Sequence, residues 1–92
     1  MTVEEFRASL KSDTPPRDLA LAGLWWDAKG DWTRAHESAQ QDESPRGAWV
    51  HAYLHRKEGD LSNSRYWYGR AAKSPAQGSL DEEWEQIAAA LL

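Results

Sequence analysis

The dipeptide Gly30-Asp31 returns as Gly59-Asp60, 29 residues on, and this recurrence constrains the chain more than any other feature. Glycine takes the left-handed conformation that ends a helix at little cost, and aspartate caps the start of the next one. Each dipeptide therefore reads as the turn of a helical hairpin. The agreement extends beyond the turn. A small residue stands seven before each glycine (Gly23, Ala52), where two helices can approach closely, and another stands five after it (Ala35, Ser64). Arg17 and Arg46 also correspond. A repeat of this kind sets the architecture ahead of any single residue.

The remaining punctuation yields about six helices and no strand. Thr2-Val3-Glu4-Glu5 has the capping-box pattern and opens a short helix with Val3, Phe6 and Leu10 on one face. Lys11 to Thr14 ends it. Pro15-Pro16 is expected to open a second helix running to Lys29, because proline is tolerated in a first turn whose N–H groups have no partner anyway. A third helix is predicted from Trp32 to about Gln41, and Ser44-Pro45 opens a fourth that Gly59 closes. A fifth runs from Leu61 to about Lys73. Ser79-Leu80-Asp81-Glu82 is a second capping box, and it launches a last helix carrying Trp84, Ile87, Ala88, Leu91 and Leu92. The second and fourth helices are apolar nearly all round, so they belong in the centre, whereas the third and fifth are amphipathic. The expected fold is one all-α domain over residues 1–92, with two helical hairpins between an N-terminal and a C-terminal capping helix.

Ninety-two residues bury only roughly 60–65% of the surface that their unfolded chain exposes. With no cysteine to form a disulfide or a thiolate metal site, six tryptophans supply the needed mass, each burying roughly 150–250 Å². The acidic N-terminus lacks the apolar run of a signal peptide. The longest apolar stretch, Leu19 to Trp26, is eight residues, where a membrane span needs about 20. These features predict a cytoplasmic protein that does not enter the membrane. A net charge of −4 argues against nucleic acid as a partner, since His55-Arg56-Lys57 is the one local basic cluster.

The segment from Glu58 to Ala72 resembles the second half of a tetratricopeptide-type repeat, and its Trp67-Tyr68-x-x-Ala71-Ala72 ending is closer to the related Sel-type repeats. Gly30-Asp31-Trp32-x-x-Ala35 is similar to the same part of a repeat. The resemblance covers about residues 16–75. The spacing of 29 falls short of the roughly 34 residues of a tetratricopeptide unit, and two repeats stand where about three are normally needed. The first and last helices must then cap the stack.

In such repeats the first helix of each pair lines a concave groove. The resemblance therefore implies that Arg46, Trp49, Tyr53, Arg56 and Lys57 face the groove from the second repeat. From the first it implies Arg17, Ala20, Leu24 and Asp27. Arg17, Arg46, Trp49, Tyr53, Arg56 and Lys57 form the candidate peptide-binding set. Basic and aromatic within an acidic protein, it suits an acidic or carboxylate-terminated peptide, because arginine forks match carboxylates. The competing occupant is the chain's own last helix, with Glu82, Glu83 or Glu85 meeting those arginines.

His51-x-x-x-His55 lies on one helical face, a spacing that can hold a metal ion, and His36 is the third histidine. Asp27 or Glu58 could complete a ligand set. No glutamate adjoins His51 as it does in a zinc protease, however, and tryptophan-flanked histidines commonly make structural hydrogen bonds. His36 and Arg65 hold matching places in the two repeats, so each is expected to contact a carboxylate or a carbonyl. No glycine-rich phosphate loop and no nucleophile elbow is present. The reading therefore assigns no catalytic residue, metal or cofactor, and expects a protein-interaction or scaffold domain with a protein or peptide partner. A small metal- or ligand-dependent enzyme using His36, His51 and His55 is one alternative. A homo-oligomeric structural module is another.

Overall fold

Proline and side-chain caps decide where each helix starts. The computed structural model describes residues 1–92 and holds six α-helices without a strand. They are α1 (Val3–Ala8), α2 (Leu19–Ala28), α3 (Trp32–Gln41), α4 (Pro45–Glu58), α5 (Leu61–Ala71) and α6 (Leu80–Leu91). A 3-10 turn over Ser9–Lys11 extends α1. None of the helices is long and apolar enough to cross a membrane.

The Thr2 hydroxyl accepts the Glu5 N–H at 3.1 Å while the Glu5 carboxylate accepts the Thr2 N–H at 2.8 Å, completing the first capping box. Ser79 accepts the Glu82 N–H at 3.0 Å. Asp31 and Asp60 do the same for Arg34 and Asn63, at 3.0 and 3.2 Å. Two boundaries differ from expectation. Pro15-Pro16 does not start α2, which begins at Leu19 after an Asp18 cap whose carboxylate accepts the Leu21 N–H at 3.0 Å. A proline pushes the residue before it out of the helical region, and only Asp18 offers an acceptor to the first turn. Arg17 consequently lies ahead of the helix and exposed. Likewise α5 ends at Ala71, where Ala72 turns left-handed (φ 57°) and Lys73 N–H bonds back to the Tyr68 carbonyl at 3.0 Å.

The two Gly-Asp turns close the hairpins α2–α3 and α4–α5, with Gly30 and Gly59 at φ 84° and 91°. Gly23 brings them together. A Cβ there would sit 2.9 Å from Val50 Cγ1 and 3.3 Å from the Ala35 carbonyl oxygen, so α2 presses directly on α3 and α4. Helix α4 is central, packed by α2, α3, α5 and α6. The core joins Phe6, Leu24, Trp25, Val50, Leu54, Trp84 and Ile87 from four helices. Helix α6 lies against α2 and α4, the first helices of the two hairpins, and reaches α1, where Trp84 stacks on Phe6 at 5.6 Å. The Trp84 indole N–H donates to the Leu24 carbonyl at 3.0 Å and fixes the register of α6 on α2.

Candidate functional site

Because successive helical residues turn by about 100°, α4 presents Tyr53 and Arg56 on one side and His51 and His55 on the opposite side. Each side carries its own constellation.

On the side of α4 that carries Tyr53 and Arg56, most of the anticipated basic and aromatic residues are already engaged within the chain. Arg56 pairs with Glu83 of α6 at 2.9 Å and also donates to the Gly78 carbonyl. Glu83 is only 2% exposed, and its second carboxylate oxygen accepts from the Tyr68 hydroxyl. Arg46 bonds Asp18 at 2.5 Å and the Leu91 carbonyl at 3.2 Å, close to the end of α6. Tyr53 donates to Asp27 at 2.8 Å, and Lys57 reaches the other oxygen of the same carboxylate at 2.9 Å. Burial, then the Asp27 carboxylate, pushes the Tyr53 phenol far above its usual range. Burial and the hydrogen bond to Glu83 do the same for Tyr68, so both hydroxyls stay protonated donors. Trp49 is half-buried, with the Lys73 ammonium 4.3 Å above its ring. Arg17 is the member of the set left outside, since its helix starts two residues later. Asp27, Tyr68 and Glu83 complete the constellation. Glu83 is indistinguishable in sequence from Glu82 and Glu85, and only the angle at which α6 docks selects it.

On the opposite side the three histidines converge. His36 Nε2 and His51 Nε2 are 2.9 Å apart, so one donates its proton to the other. The Nδ1 of His55 lies 2.6 Å from Glu58 Oε1, and a carboxylate can only accept there, which places the proton on Nδ1. His55 Nε2, an acceptor in the neutral ring, is met by the Asn63 side-chain amide at 3.3 Å. One ring nitrogen from each histidine lies within 4.8 Å of the others. Trp67 stacks on His51 with centroids 3.9 Å apart, and Trp32 stacks on His36 at 5.0 Å, walling the cluster with indole faces. His51 and His55 are 4% and 6% exposed, while His36 is half-buried. Burial, followed by its histidine neighbours, lowers the His51 pKa to about 4. Burial and His55 lower that of His36, against the pull of Glu58 and Glu37. His36 thus meets a second imidazole instead of the expected carboxylate or carbonyl, and Arg65, its counterpart in the second hairpin, is exposed. Trp67 was not legible as a wall of this cluster, because nothing in its spacing from His51 signals the contact.

Comparison with protein-family models, with curated proteins and with solved structures gave no match to this chain.

Proposed function

We propose that this chain is a small protein-interaction module of tetratricopeptide-like type, whose concave face recognises an acidic amphipathic helix. In the free protein, α6 holds that place. The observation that carries this reading is the seat of Glu83, a single carboxylate buried between Arg56 and Tyr68. The occupant describes its competitor: an acid-first helix with an apolar stripe like Trp84, Ile87, Ala88 and Leu91, and one carboxylate projecting into the arginine. A partner in trans must overcome the advantage of a tethered ligand, which corresponds to an effective concentration on the mM scale for a short linker.

A labelled synthetic peptide of residues 79–92, added to the full chain, tests this. Unmodified protein should bind it weakly. Protein carrying Glu83→Gln, which loosens its own α6, should bind the same peptide more tightly, and adding Arg56→Ala should abolish the gain. Absence of peptide binding by the Glu83→Gln protein at mM concentrations would refute the reading.

A further inference from the structure

We propose that His36, His51 and His55 form a binding site for one divalent first-row transition ion, of which zinc is the leading candidate, each ring giving one nitrogen. A His–His hydrogen bond uses one proton and one lone pair, and the pair His36–His51 is already complete with two rings. The third imidazole adds nothing to that bond, yet it is held beside the other two at the cost of burying it. Three convergent imidazoles are a familiar catalytic-type zinc donor set, and they leave a fourth position for water or an anion. All-imidazole sets also suit copper and nickel, so a preference within this group follows metal supply more than affinity.

The distances fit a site ready to close. With metal–nitrogen bonds of about 2.0–2.1 Å, tetrahedral ligand nitrogens stand roughly 3.3 Å apart. His36 and His51 sit slightly closer than this at 2.9 Å, and all three donor atoms fall within 4.8 Å. Small side-chain rotations therefore bring them onto one ion. Glu58 supplies the outer partner that metal-bound histidines ordinarily have. By accepting a hydrogen bond from the Nδ1–H of the neutral His55 ring it leaves the Nε2 lone pair as the donor, and the 3.3 Å contact from Asn63 is long enough to yield. Both Nε2 atoms of the His36–His51 pair can ligate once the proton that one of them holds moves to its own Nδ1. Trp67 and Trp32 restrict the rings of His51 and His36 from the outside. Helix α4 and the first turns of α5 hold His55, Glu58 and Asn63, while α3 brings His36. The site thus forms only in the folded hairpins, on the side of α4 away from α6. It is independent of the peptide reading.

The test uses the full chain without a histidine tag. Cobalt(II) should bind one equivalent and show the visible absorption bands of a four-coordinate nitrogen-rich site, and zinc should displace it. Zinc at about a hundredfold above its Kd should raise the Tm by roughly 10 °C or more, by mass action on the folded form. His36→Gln should abolish both signals while circular dichroism remains helical, since His36 is only half-buried. Glu58→Gln should weaken zinc binding about 10–100-fold. The proposal is overturned if the metals produce neither the bands nor the rise in Tm. It is equally overturned if one-to-one binding persists undiminished in His36→Gln, which would place the ion elsewhere on the surface.

Discussion

Glu83 has two partners and almost no solvent, which makes it the side chain whose loss should cost most where α6 meets the hairpins. Removing one member of a buried ion pair strands the other charge. Glu83→Ala is therefore expected to destabilise the fold by about 3–5 kcal/mol in urea denaturation, because Arg56 and Tyr68 lose their acceptor together. Glu83→Gln keeps an acceptor and should cost less. A double-mutant cycle with Arg56→Ala should return a coupling of about 1–3 kcal/mol, and additive effects would show the pair to be energetically idle. His51 makes a different forecast. Its folded pKa of about 4 lies below the ordinary value near 6.5, so between these limits the unfolded chain binds a proton that the native site refuses. The stability from this group is complete above pH about 6.5 and drains away as the pH falls toward 4. The charges that act on this ring cluster come from its own histidines and from Glu58 and Glu37. Unfolding free energy should fall by about 2–3 kcal/mol more across this interval in the native protein than in His51→Gln. Parallel pH profiles for the two proteins would contradict the depressed pKa.

Among the helices, the boundaries set by local chemistry and those set by packing behave differently. Gly59 stands at φ 91°, where a β-branched side chain is strained whatever space surrounds it. Gly59→Val should lower stability by about 1 kcal/mol or more, read from the shift in Tm, and an unchanged Tm would remove the turn from its role as hinge of the second hairpin. This position, its counterpart Gly30, and the caps at Thr2, Asp31, Asp60 and Ser79 are all legible, because each of these caps joins residues three apart. The ends of α2 and α5 were less so. Pro15-Pro16 is an admissible helix opening, but the Asp18 carboxylate competes for the same first turn and wins. Ala72 carries a left-handed conformation without being glycine, and local propensity gives no warning of that.

For the molecule as a whole, α6 closes the apolar face of the two hairpins. Deleting residues 79–92 takes away Trp84, Ile87, Ala88 and Leu91, and with them the cover over Phe6, Leu24 and Tyr53. The truncated chain should aggregate or expose enough apolar surface to bind a hydrophobic dye, whereas a monomeric, fully helical truncation would mean that α6 is dispensable. Local chemistry along the chain suffices to specify an all-α fold, two hairpins that turn at Gly30 and Gly59, and central places for α2 and α4. Those properties follow from caps, turns and face patterns within one or two helical turns of each residue. Only packing between helices selects Glu83 over Glu82 or Glu85 as the partner of Arg56, and only packing joins His36 to His51 and His55 between two tryptophans. Those outcomes depend on the docking angle of one helix on another. A shift of one helical residue, about 100° of rotation, would present a different carboxylate or a different ring.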